Sequence, residues 1–96
     1  MQFIALLRRL TERFSDADFA PLLEPEAERV RVLYAEGIVR QIWSRGDLPG
    51  ACVMIEAADE AEARASLATL PLLAAGMLEL TALVPLKPYR GFGPRG

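Results

Sequence analysis

The 96 residues carry eleven basic and thirteen acidic side chains and no His, a balance that offers no general attraction to phosphate backbones or anionic lipid and so argues against nucleic acid and membrane surfaces as partners. A chain of this length builds one core and buries only about 60–65% of the surface that its unfolded form exposes; with 52% hydrophobic residues some apolar surface is left over, and composition favours a homodimer or a multiple of dimers. The lone Cys52 allows neither an intrachain disulfide nor a zinc cluster, Met1-Gln2-Phe3-Ile4 lacks the basic region of a signal peptide, and no apolar run reaches membrane-spanning length, which together fit a cytoplasmic protein.

Phe3 to Leu7 is an apolar run too short for a helix and predicts a first strand, closed by Arg8-Arg9. Ser15-Asp16-Ala17-Asp18 supplies capping side chains for a long helix whose far end is marked by Gly37. Pro21 is tolerable near its start, whereas Pro25 costs a backbone hydrogen bond and predicts a kink or restart near Leu23-Glu24. Ile38 to Arg45 and Ala51 to Ala57 read as a hairpin joined by Gly46-Asp47-Leu48-Pro49-Gly50. Asp59-Glu60-Ala61-Glu62 then opens an Ala-rich helix with an inner stripe of Ala63, Leu67 and Leu70, halted near Pro71. Met77 to Val84 forms a last strand.

The order strand-helix-strand, repeated, defines an α+β chain of ferredoxin-like β-α-β-β-α-β type: a four-stranded antiparallel sheet with two helices on one face. Residues 1–86 make this domain and 87–96, with two prolines and three glycines, an extended C-terminal tail that a neighbour could borrow. The other face of the sheet has no cover within the chain, so pairing of two subunits is expected to cover it.

From Glu36 the chain reads Glu36-Gly37-Ile38-Val39-Arg40-Gln41-Ile42-Trp43, followed by a hairpin, a capped helix, Leu70-Pro71-Leu72 and a strand containing Glu79. This order and spacing, over roughly residues 20 to 86, resembles muconolactone isomerase. The resemblance implies a dimeric α+β barrel, assembled further into rings in that family, and a cofactor-independent isomerase that shifts a proton within a small lactone carboxylate. The chain departs from the family in lacking His, in carrying Arg8-Arg9 on the first strand and in its tail.

On a 100° wheel the long helix places Phe19, Leu23, Glu26, Val30, Leu33 and Tyr34 on one side. Glu26 in that apolar stripe is the candidate catalytic acid-base, since desolvation raises a carboxyl pKa toward the useful range, and it matches an acidic position of the family's first helix; a structural ion pair with an Arg is the competing reading. Arg40, read on one strand face with Ile38 and Ile42, is a candidate for binding a substrate carboxylate or for pairing with Glu26. Tyr34 is a candidate phenolic donor to an enolate, or a core aromatic. Trp43 falls on the opposite face, as a subunit contact ahead of a pocket wall; Arg8 and Arg9 point to opposite faces, so at most one can enter a pocket, and Glu56 and Glu79 are possible partners for them. Cys52 reads as an inert small hydrophobe.

No metal constellation, phosphate-cradling loop or cofactor motif is present in the sequence. The resemblance implies, as the expected function, a cofactor-independent isomerase or related proton-transfer enzyme for a small anionic or lactone ligand, with a non-catalytic oligomeric ligand-binding module as the alternative.

Overall fold

Along the first strand, β1 (Gln2–Arg9), Phe3, Ala5 and Leu7 are buried while Ile4, Leu6 and Arg8 are only half covered, so one face meets the core and the other does not. The structure, a computed structural model, describes residues 1–92. After β1 come α1 (Asp16–Ala35), β2 (Val39–Ser44), β3 (Gly50–Glu56), α2 (Glu60–Leu67), α3 (Pro71–Ala74) and β4 (Leu78–Pro85). The strands form one antiparallel sheet in the order β2-β3-β1-β4, the ferredoxin-like arrangement. The buried faces of β1 and β3 share a single core with Phe19 and Leu33 of α1, Ala63 and Leu67 of α2, and Leu72 of α3.

The local signals act where expected. Ser15 caps α1 in a reciprocal box with Asp18, and α1 ends in a Schellman arrangement in which Gly37 at φ +79 and Ile38 donate to the carbonyls of Tyr34 and Leu33. Asp59 accepts from the Glu62 amide to start α2. Ala63, Leu67 and Leu70 are all buried.

Four expectations change. α1 runs as one helix through Pro21 and Pro25, with no restart; both prolines lie on its exposed side, where water can satisfy the freed carbonyls. Leu70-Pro71-Leu72 does not merely end α2: Pro71 occupies the first turn of the short helix α3, a position where its missing N–H costs nothing, so the fold has three helices rather than two. Leu23 and Tyr34 lie outside the buried stripe and are 42% and 66% exposed, while Leu22 packs on the core. The expected tail, 87–96, is described only as far as Phe92, where it holds neither helix nor strand; the remainder of that expectation lies outside the described residues.

β2 contains the fourth change. Val39 pairs with Ile55 and Gln41 with Met54, leaving Arg40 as an extra residue in a bulge, which resets the alternation. Val39, Ile42 and Ser44 therefore share the helix-facing register, opposite Ile55, Val53 and Ala51, and Gln41 and Trp43 share the open one, opposite Met54 and Cys52.

Gly50 stands opposite Arg8 in the β1–β3 register, where an added Cβ would lie 2.0 Å from the Leu7 carbonyl oxygen. That oxygen belongs to a central strand and cannot yield without opening the ladder. Gly50→Ala is expected to destabilise the fold by about 1–3 kcal/mol or more, read as a lower midpoint in urea unfolding.

Candidate functional site

Glu26 sits midway along α1, half-buried, and its carboxyl turns toward the Leu70-Pro71-Leu72 corner. Leu70, at the N-cap of α3, provides no side-chain cap, and Pro71 has no N–H. The Leu72 amide donates instead to Glu26 Oε1 at 3.0 Å. A carboxylate at a helix start also meets the positive end of the backbone dipoles, although α3 is too short for that effect to be large. Oε2 makes no hydrogen bond or ion pair among the described residues, and no fully buried side-chain oxygen or nitrogen there lacks a partner, so this second oxygen opens outward.

Glu26 lines a cavity of about 410 Å³ between α1 and the β2 side of the sheet, with Leu23 and Val30 on one wall, Ile42 on the other, Trp43 at its rim and Arg9 at the end of β1. Burial pushes the Glu26 carboxyl above its ordinary range; the Leu72 N–H and the charge of Arg9 pull the other way and only partly offset it. Because the group binds a proton more readily folded than unfolded, its contribution to stability is fully present below the ordinary carboxyl pKa of 4.5 and is lost as pH rises through the higher folded value. The stability difference between wild type and Glu26→Gln, measured by urea unfolding, is expected to drift against the wild type across that window and then level off. Glu26→Ala, which also strips the Leu72 amide of its acceptor, is expected to fall about 1–3 kcal/mol below Glu26→Gln.

The other sequence candidates are not gathered with Glu26. Arg40 is exposed at the bulge and lines neither this cavity nor its neighbour, because the extra residue removes it from the face assigned by simple alternation. Tyr34 borders a separate groove of about 350 Å³, also between α1 and β2, that shares Val30, Arg31 and Ile42 with the first. Trp43 lies in the open-face register as expected and, on the edge strand, also reaches the cavity rim. Arg8 and Arg9 do divide between faces. Arg8 pairs with Glu12 at 2.7 Å and with Glu79 at 3.5 Å, Glu56 pairs with the N-terminal ammonium rather than with an arginine, and Arg9 enters the cavity. The sequence left open which of Arg8 and Arg9 faces a pocket; the alternation Phe3, Ala5, Leu7 extends directly to Arg9.

Among the described residues no cluster of three or more His, Cys, Asp or Glu is placed to hold a metal ion, and no helix is long and apolar enough to cross a membrane. The domain is thus defined as a ferredoxin-like α+β unit with a carboxyl and a guanidinium facing one cavity. No family model matches the chain, and no curated protein matches it.

Proposed function

We propose that this chain is a cofactor-independent isomerase, or a related proton-transfer enzyme, acting on a small carboxylate or lactone in the manner of muconolactone isomerase. The observation that carries the reading is the divided state of Glu26: one carboxyl oxygen is held by the Leu72 amide, the other has no partner among the described residues, and the residue lines a cavity with apolar walls. A positioned base of raised pKa can take a proton from a carbon acid next to a carbonyl, leaving an enolate, and return it at another carbon of the same molecule. The electron pair stays in the substrate and the carboxylate is regenerated. Loss of C–H exchange in Glu26→Gln, with the fold intact, tests the assignment.

The open face of the sheet supports self-association. Ile4, Leu6, Cys52, Met54, Ala82 and Val84 share its register around a centre of apolar side chains, and charged groups, Arg8 with Glu79 and Glu56 with the N-terminus, lie toward its ends. An apolar centre inside a polar rim is the pattern of a subunit interface, and a second copy of the chain is the proposed occupant.

The reading of a non-catalytic oligomeric ligand-binding module draws on the same hydrogen bond, because a Glu26 that caps α3 has a structural task whether or not it moves protons. The two readings part on turnover, since the module binds a small anion without exchanging its protons.

A further inference from the structure

We propose that Arg9 is the anion-binding residue of the α1–β2 cavity, and that it takes the carboxylate of a small, flat, monoanionic ligand whose apolar body lies between Leu23 and Ile42. The inference rests on the Glu26 cavity being the functional site and assigns its ligand class.

Arg9 ends β1 opposite Leu78 of β4. Its guanidinium carbon stands 5.2 Å from the centroid of the Phe19 ring, and Phe19 is in turn held edge-on by Phe14, with centroids 6.2 Å apart and an interplanar angle of 72°. Stacking of this kind covers one face of the guanidinium and leaves its in-plane N–H groups available, which is the geometry that grips a carboxylate through two parallel hydrogen bonds.

Those donors are free. Arg8, Arg31, Arg45 and Arg64 each pair with carboxylates, and Arg29 donates to Thr69. Arg9 is half-buried and makes no ion pair or side-chain hydrogen bond among the described residues. Arg31 also borders the cavity but is already held by Glu24 at 2.6 Å and Glu28 at 2.7 Å. A partly desolvated cation without an anion favours acquiring one.

The opposing charge sets the valence of the ligand. Glu26 lines the same cavity, and no ion pair joins it to Arg9, so space remains between them. A ligand with one carboxylate on Arg9 satisfies the cation and presents its uncharged part to Glu26. A second carboxylate would face the Glu26 charge and be repelled. The flanking Leu23, Val30 and Ile42 suit a ring.

Benzoate is a suitable probe, with benzamide as its uncharged counterpart. Isothermal titration of the wild-type protein at neutral pH is expected to show benzoate binding at least tenfold tighter than benzamide. Arg9→Gln should weaken benzoate at least tenfold, Arg9→Lys should weaken it less because the charge remains without the planar fork, and Arg64→Gln, on the outer surface of α2, should match wild type. In arginine-Nε-labelled wild-type protein, benzoate should move the Arg9 resonance, a measurement that serves even if Arg9→Gln fails to fold. Equal binding of benzoate and benzamide, no benzoate binding at millimolar concentration, wild-type affinity in folded Arg9→Gln, or an unmoved Arg9 resonance overturns the assignment. Arg9-dependent binding in a protein whose Glu26→Gln variant retains full C–H exchange would remove the proton-transfer reading alone, whereas Arg9-independent binding with exchange lost in Glu26→Gln removes the Arg9 assignment alone.

Discussion

Glu26→Gln is expected to lower exchange of an acidic C–H in a small lactone carboxylate by about 10²–10⁴-fold, the usual contribution of a positioned acid-base group, while leaving the circular dichroism spectrum unchanged. The separation of the two effects follows from the geometry. The amide oxygen of Gln can still accept from the Leu72 N–H that Glu26 Oε1 accepts from at 3.0 Å, so α3 keeps its cap and the cavity wall keeps its shape. The outward-facing position loses the capacity to hold a proton at any useful pH. The exchange rate of the wild type should in addition rise with pH until Glu26 is ionised, because the carboxylate is the base, and this rise should centre above the ordinary carboxyl pKa of 4.5 owing to burial of the group. Full exchange activity in Glu26→Gln, or a wild type that exchanges no faster than buffer, would leave Glu26 as a structural cap and favour the binding module.

Trp43→Asp is expected to abolish self-association, read as a fall from dimer or larger to monomer mass in size-exclusion chromatography with light scattering. Trp43 shares the open face with Cys52, its cross-strand partner, and with Gln41, and as the largest side chain there, 46% exposed in the single chain, it has the most apolar surface to lose on pairing. A carboxylate placed at that position would have to be desolvated without a partner in a sheet-to-sheet interface, a cost of several kcal/mol that few subunit contacts can absorb. The helix-facing core is distant in register, so the monomer should remain folded. A wild type that is monomeric at micromolar concentration, or a Trp43→Asp variant of native mass, would show that the open face is not the contact.

The residues that disclosed the fold in the sequence did so through short-range rules. Ser15 with Asp18, Gly37, and Asp59 with Glu62 mark helix ends because a cap needs only a neighbour within a few positions. The stripe of Ala63, Leu67 and Leu70 was visible because spacing of three and four places side chains on one face of a helix wherever the helix packs. Glu26 stood out for the same reason, as a carboxylate inside an apolar pattern, and it is half-buried as that pattern implies.

Arg40 and Tyr34 were drawn to the same site by spacing and resemblance, yet Arg40 sits on a bulge and Tyr34 beside a different groove. A one-residue bulge breaks the alternation, so that Val39 joins Ile42 in the helix-facing register and Arg40 falls out of it, and it leaves no mark in composition. Tyr34 fails because Leu33, in the same turn of α1, takes the buried position, and Tyr34, one residue on and about 100° round the helix, stands in solvent.

By itself the sequence determined the order of the strands and of the two longer helices, the caps of those helices and the presence of an acid in the apolar stripe of α1, because each is a property of neighbouring residues. Only the tertiary structure decided which charges face each other. Arg9 reaches the cavity because β1 keeps its alternation to its last residue, and Glu26 caps α3, 46 residues away, because α1 and α3 pack together while Leu70 and Pro71 leave the Leu72 amide without a local acceptor. Pairings of that kind depend on strand register and helix placement, which the packing of the whole chain sets and no local pattern encodes.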